Sequence, residues 1–259
     1  MITTWWGLAL LAVTIAALAM VVTALVARAV GRVSVVDVTW GLALVAIGLG
    51  CAVAGSGTPW RRWLVFALVA VWGCRLAWHI LMRSRGQGED PRYEELLAGG
   101  GFGTAIRKVF LTQGVVICLI GLPLVAAGHS DVAAWPVVAV GVVVWVVGVV
   151  FETVGDAQLA SYKRDPDRGP IMDRGLWGWT RHPNYFGDAC VWCVIWLFVG
   201  AASGWLPGLV TVLSPLAMTY FIRNVTGAKL LERTMSTRPG WDAYAARVPL
   251  FVPRPPRRT

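Results

Sequence analysis

Charge is what this sequence has least of. Only 14% of its 259 residues are Asp, Glu, Lys or Arg, while 57% are hydrophobic. A soluble domain of this size cannot bury so much apolar surface, so a water-soluble globular fold is excluded and the solvent has to be lipid. Acid is scarcer than base, 14 residues against 23, and the formal net charge is +9. The five cysteines, Cys51, Cys74, Cys118, Cys190 and Cys193, all fall inside apolar runs, which argues against a disulfide framework or a zinc site. Cys190 and Cys193 have CxxC spacing, but on a membrane helix that reads as small packing groups. No basic n-region or small-residue cleavage site marks the first segment, which therefore reads as a retained span. No Gly-x-Gly-x-x-Gly follows a strand, and Gly99-Gly-Gly-Phe-Gly103 reads as a flexible loop, so a Rossmann domain is excluded as a nucleotide binder. No metal set is expected.

What is present is a series of apolar stretches, each long enough to cross a hydrocarbon core of about 30 Å. They predict an all-α polytopic membrane bundle with seven spans. These are Thr4 to Ala29, Val35 to Ala54, Trp60 to Met82, Val109 to Gly128, Ala134 to Glu152, Pro183 to Ala201, and Leu206 to Ile222. An amphipathic helix from Gly227 to Arg247 is expected to lie at the interface. The chain reads as one membrane domain, with residues 1–108 on the substrate side and 109–259 as a cofactor-binding half.

Orientation follows from Lys and Arg. With the N-terminus outside, the inner loops hold Arg28, Arg32, Arg83, Arg85, Arg92, Arg107, Lys108, Lys163, Arg164, Arg168, Arg174 and Arg181, and only Arg61 and Arg62 lie outside. The C-terminus and the chemistry are then expected at the cytoplasmic face. The basic residues flank membrane spans and have no soluble fold beside them, so they argue for topology and against nucleic acid. The tail from Pro253 to Thr259 reads as a basic segment touching anionic lipid.

Ionisable groups inside apolar spans cost several kcal/mol unless paired or hydrated, so each is a functional candidate. Asp37 lies near the inner end of the second span, and Arg75, eight residues before Arg83, is about 12 Å deep at about 1.5 Å per residue. Those two are expected to pair with each other, or Arg75 with a cofactor phosphate. Glu152 and Asp156 are four apart and share a helix face. Asp188 lies one to two turns into the sixth span. Around it, Arg181, His182 and Asn184 gather at a helix start set by Pro183, where an anion is favoured.

The stretch Arg181-His-Pro-Asn-Tyr-Phe-Gly-Asp188, with Asp156-Ala-Gln158 and Lys163 before it, is followed by Leu231-Glu-Arg233, Trp241-Asp-Ala-Tyr244 and Val248-Pro249. This pattern resembles the steroid 5α-reductase C-terminal domain and its bacterial DUF1295 relatives. Sterol C14-reductases are similar in Asn-Tyr-x-Gly-Asp. The resemblance implies a bacterial inner-membrane enzyme that uses NADPH, from a cavity open to the cytosol, to reduce an activated C=C bond in a lipid-like substrate. It implies that Asp156, Lys163, Asn184 and Asp188 are cofactor-pocket residues, with Asn184 and Asp188 nearest the nicotinamide. Arg75, Arg83, Glu152, Arg174, Arg181, His182 and Tyr244 complete the expected cofactor set, with the arginines clamping phosphate. Asp188, Tyr185 and Tyr93 are the expected catalytic residues, and His79 is a further candidate acid. Trp72 stands near the place of the tyrosine that polarises a steroid carbonyl, which weighs against a steroid 3-ketone. Two other readings compete. One is an S-adenosylmethionine-dependent methyltransferase of the isoprenylcysteine type, which has a similar Arg-His-Pro-x-Tyr-x-Gly start. The other is a non-enzymatic lipid-binding or transport protein.

Overall fold

A computed structural model describes residues 1–130 and 135–255. Position 134, which opens the fifth predicted span, and residues 256–259 of the basic tail lie outside the described residues. The described chain is all-α; its only bridge pairing is the isolated contact between Ile2 and Gly55.

The helices are α1 (Trp5–Val30), α2 (Val35–Ala54), α3 (Pro59–Ser84), α4 (Pro91–Leu97), α5 (Phe102–Ala105), α6 (Thr112–Ile120) and α7 (Leu122–His129). They continue as α8 (Trp135–Arg164), α9 (Pro183–Ile195), α10 (Trp205–Thr211), α11 (Leu213–Tyr220), α12 (Ala228–Met235) and α13 (Trp241–Arg247). Single π-helical turns join some of them, at Ile106–Leu111, Trp196–Gly200 and Phe221–Val225. Thr4 caps α1 by accepting from the Gly7 amide, and Gly31 ends it with φ of 72°, a conformation suited to glycine.

Among the described residues, six helical runs are long and apolar enough to cross a membrane: Trp5–Val30, Val35–Ala54, Pro59–Ser84, Phe102–Ile120, Pro136–Arg164 and Trp205–Met235. Their outward residues agree with a lipid environment. Along α1, Leu10, Val13, Leu18, Val22 and Leu25 are all at least half exposed, a cost that water would not tolerate and acyl chains remove.

The sixth expected span, from Pro183 to Ala201, is where sequence and structure part. From Pro183 the chain is α-helical for only 13 residues, after which it passes through the π turn and a 3₁₀ turn at Ala201–Ser203. Prolines break two other predicted spans. Pro123 and Pro215 have no N–H for the carbonyl four residues back, so the helix divides into α6 and α7 at one site and α10 and α11 at the other. The expected single C-terminal helix is likewise two, α12 and α13, because Pro239 and Gly240, the latter with φ of 82°, turn the chain between them.

The chain divides into two compact units. The first comprises Met1–Ala133 with Val199–Ser214, and the second Ala134–Phe198 with Pro215–Thr259. Helices α6 and α7, expected in the cofactor-binding half, pack instead with α1 and α2 in the first unit. Each unit is centred on a helix pair brought close by glycines. In the first, a Cβ on Gly41 of α2 would lie 2.7 Å from the Gly73 carbonyl of α3, and Trp40 meets Trp72 edge-on there. In the second, a Cβ on Gly187 of α9 would lie 2.4 Å from the Gly148 carbonyl of α8.

Arg61 and Arg62 start α3 and are buried. Arg61, fully buried, donates to the carbonyls of Ser130 and Val199 and to the Ser203 hydroxyl, while Arg62 donates to the Gly55 carbonyl. Both serve the backbone at helix ends.

The glycine contact in the second unit generates a test. Gly187→Ala should lower the thermal midpoint in detergent, by an overpacking cost of about 1–3 kcal/mol. Gly103→Ala, where a Cβ would meet nothing within 4 Å, should not. Equal midpoints for the two variants would show that the α8–α9 approach does not constrain the fold.

Candidate functional site

In the second unit the polar residues lie along the seam between α8 and α9. Glycines set the spacing: Gly148 opposes Gly187, Gly187 also abuts Glu152, and Gly155 opposes Pro183. The side chains between them are polar. Asn184 Nδ2 donates to Asp156 Oδ1 at 3.2 Å, and its Oδ1 accepts from the Tyr185 amide at 3.0 Å. Glu152 and Asp156 of α8 and Asp188 of α9 are all buried. Four expected cofactor residues are thus brought together by one helix pair.

Beyond Asp156 the same helix borders a cleft of about 380 Å³. Gln158, Ser161 and Tyr162 of α8 line one side, and the loop bearing Asp167, Arg168 and Arg174 lines the other. The loop is tied down: Gln158 Oε1 accepts from the Leu176 amide, Trp177 Nε1 donates to the Gly155 carbonyl, and Tyr162 donates to the Gly169 carbonyl. Asp173 is paired with Arg247 at 2.8 Å and Asp165 accepts from the Asp167 amide at 2.9 Å, so two of the cleft's acids already have partners. Arg174 and Lys163 are exposed.

Arg181 and His182 have a different setting from the one expected of phosphate ligands. Arg181 Nε and Nη2 donate to the two oxygens of Glu232 at 2.7 and 3.3 Å, and Nη1 donates to the carbonyls of Ala245 and Val248 at 2.8 and 2.9 Å. The guanidinium also lies 5.8 Å from the Trp241 ring. His182 Nε2 is 3.2 Å from Glu232, and its ring stacks on Tyr185. Tyr244 donates to the Trp177 carbonyl at 2.8 Å, and burial pushes its phenol well above the ordinary range. These groups bracket α12 and α13 onto the start of α9.

The first unit carries its own polar cluster. Asp37 is bound by Arg92 at 3.0 Å and by the Tyr93 hydroxyl at 2.5 Å. This corrects the expected pairing of Asp37 with Arg75: the α4 segment supplies both partners, and Arg75 is half-buried on α3. Arg83 is exposed at the end of α3. Tyr93 is buried, and burial followed by the Asp37 charge raises its phenol well above the ordinary range, so it stays protonated. Glu89 accepts from the amides of Val33 and Ser34, just before α2, where the partial positive charge of the helix end favours a carboxylate.

A family model described as Protein of unknown function (DUF1295) matches residues 23–248. The chain belongs to this family. No curated protein and no solved structure matches it. The DUF1295 match takes in both polar clusters and stops before the segment that follows Val248.

Glu232, Arg92 and Glu89 are the residues that the sequence reading left out of the site of this DUF1295 chain. Glu232 had a signal: it is acidic in a segment otherwise dominated by Lys229, Arg233, Arg238 and Arg247. Arg92 and Glu89 had none beyond their place beside Tyr93.

The cap on α2 predicts a pH dependence. Burial pushes Glu89 up, but hydrogen bonds from Ser34 and from the Val33 and Asp90 amides outweigh it and hold the group below 4.5. Asp90 is held below 3.8, chiefly by its hydrogen bond from Arg92. Folded values below the unfolded ones mean a stabilisation fully present at neutral pH and lost as pH falls through the folded values. The thermal midpoint should therefore be flat down to about pH 5 and fall below it, with a shallower fall in Glu89→Gln. A wild-type profile indistinguishable from that of Glu89→Gln would remove the cap's role.

Proposed function

We propose that this chain is an NADPH-dependent membrane reductase of an activated C=C bond in a lipid-like substrate. The observation that carries the reading is the set of buried carboxylates Glu152, Asp156 and Asp188 with the half-buried Asn184 bonded to Asp156, on a helix pair whose α8 continues into a cleft edged by Arg168 and Arg174. The resemblance of Arg181 to Asp188 to the steroid 5α-reductase superfamily points the same way.

The donor chemistry fits the cofactor. Carboxylates and an amide suit ribose hydroxyls and a carboxamide, while guanidinium groups suit phosphate, which they can bind through paired hydrogen bonds. The described residues contain no strand, so a βαβ binder is not available and a helical site has to serve. When bound, NADPH supplies the hydride, and a proton completes the reduction of C=C to CH–CH. The chain's own residues orient, exclude water and carry that proton. Asp156 fixes the Asn184 amide, Arg168, Arg174 and Lys163 offer charge to phosphate, and Arg181 positions the site through Glu232 rather than binding phosphate itself. Asp188, Tyr185 and Tyr93 are the candidate proton carriers.

For topology we propose seven crossings, the sixth being the run from Pro183 to Ser203, with the N-terminus outside, the C-terminus in the cytoplasm of a bacterial cell and the short α12 and α13 at the interface. An introduced cysteine in the segment 164–174 should resist an impermeant reagent added outside intact cells; rapid labelling there would reverse the orientation.

The cofactor is tested by calorimetry on the full chain in detergent. NADPH should bind more tightly than NADH, because the 2′-phosphate adds roughly two negative charges for the cleft cations, and S-adenosylmethionine should not bind. Asn184→Ala should weaken NADPH by about 1–3 kcal/mol through loss of the bonded amide. Asp188→Ala should lower turnover more than it lowers expression. Binding of S-adenosylmethionine in preference to NADPH would favour the methyltransferase, and indifference to all three ligands a binding or transport protein.

A further inference from the structure

One groove of the second unit takes no part in this chemistry. It has a volume of about 370 Å³ and is lined by Thr219, Arg223, Leu250, Phe251, Val252 and Arg254. One wall is α11 and the π turn that follows it. The other is the segment after α13, and it is held in place by the start of α9. Arg181 N donates to the Pro249 carbonyl at 2.9 Å, Thr180 Oγ1 to the Phe251 carbonyl at 2.9 Å, and Arg254 N to the Trp179 carbonyl at 2.9 Å. The groove is thus built before any ligand arrives.

Its chemistry has two parts. Arg223 and Arg254 are exposed, and neither guanidinium has a hydrogen bond or ion pair with a described residue. That contrasts with Arg181, whose three nitrogens all donate to protein acceptors. Beside these cations lie exposed apolar groups: Val252 in the groove, and Leu216 and Tyr220 on the same helix as Thr219, all about 60% exposed. A soluble anion would meet the arginines and leave the apolar flank bare. A neutral lipid would cover the flank and leave two cations unmet. An amphiphile with a negative head satisfies both.

We propose that this groove binds an anionic phospholipid, with its phosphate on Arg223 and Arg254 and the first part of an acyl chain along Val252, Tyr220 and Leu216. Guanidinium forks match phosphate geometry, and basic residues beside a membrane helix draw anionic headgroups. The lipid would brace the Pro249 to Arg254 segment, which also carries the backbone acceptors for Thr180 and Arg181 at the entrance to α9.

The test is native mass spectrometry of the full chain released from nanodiscs of phosphatidylcholine with a minority of phosphatidylglycerol. Wild type should retain phosphatidylglycerol in preference to phosphatidylcholine, less so at high salt. Arg223→Gln with Arg254→Gln should cut that preference about thirtyfold, at about 1 kcal/mol per arginine, and either substitution alone about fivefold. Arg168→Gln with Arg174→Gln, in the cofactor cleft, should leave it unchanged. No preference in wild type, or an undiminished one in the groove variants, overturns the assignment. Displacement of phosphatidylglycerol by inorganic phosphate or NADPH overturns it too, by making the groove a site for soluble anions. NADPH binding measured in parallel keeps the two proposals separate, since it can persist where the lipid preference is absent.

Discussion

A backbone carbonyl or amide facing hydrocarbon has no water to turn to, and almost every local feature of this chain follows from that constraint. Continuous helix satisfies the constraint along α1, α2, α3 and α8. Wherever the helix stops, a side chain has to supply donors, and arginine is suited to it because one guanidinium carries five. In the first unit Arg61 serves the carbonyls of Ser130 and Val199, at the end of α7 and in the π turn after α9, while Arg62 serves Gly55 at the end of α2. In the second, Arg181 serves Ala245 and Val248 at the end of α13. Glu89 meets the same need with the opposite sign, accepting from amides before α2. A chain with so little charge thus places several of its charges at helix ends.

The polar ladder of the second unit depends on the same constraint. Carboxylates on a membrane helix are tolerated only where partners are close, and partners are close only if the helices are. Gly148, Gly155 and Gly187 remove the side chains that would hold α8 and α9 apart. Asp156 can then reach Asn184, and Glu152 packs directly on Gly187. A site of this kind is rigid because its polar groups sit on the two elements whose contact it requires, which is what orienting a cofactor demands.

Much of this was legible in one sequence, for identifiable reasons. Long apolar runs announce spans, and an i, i+4 acidic pair on a helix announces a shared face, so Glu152 and Asp156, both buried on α8, stand out. Asn184 and Asp188 stood out because a capped helix start requires neither of them. The pairing of Asp37 was not legible: its partners are 55 and 56 positions away, on a short helix after the next span, and a single chain offers no signal that selects Arg92 over Arg75. Arg181 was legible as a cation and not as a clasp, since its acceptors are Glu232 and two backbone carbonyls, and carbonyls have no sequence identity. The split helices carried a weak signal in Pro123 and Pro215, but proline within an apolar run is also common in intact membrane helices.

Trp72 and Tyr93 together bear on which substrate the first unit could serve. Trp72 is fully buried and packs edge-on against Trp40 at the Gly41–Gly73 crossing, so it fills space where two backbones meet and offers no hydroxyl. The unit nonetheless holds a buried phenol, brought by α4 instead of by a membrane span. Tyr93 donates a hydrogen bond to Asp37, which Arg92 also binds, and this shared carboxylate keeps the phenol oriented. A phenol held this way can release a proton only if Asp37 accepts a replacement or the substrate's developing charge outcompetes a carboxylate already neutralised by arginine. The second condition favours a strongly basic oxyanion over a weakly polarised alkene. On that argument the reductase reading requires a C=C bond conjugated to a carbonyl, and it places the demand on the electronic character of the substrate, leaving its ring system or chain length to the apolar walls.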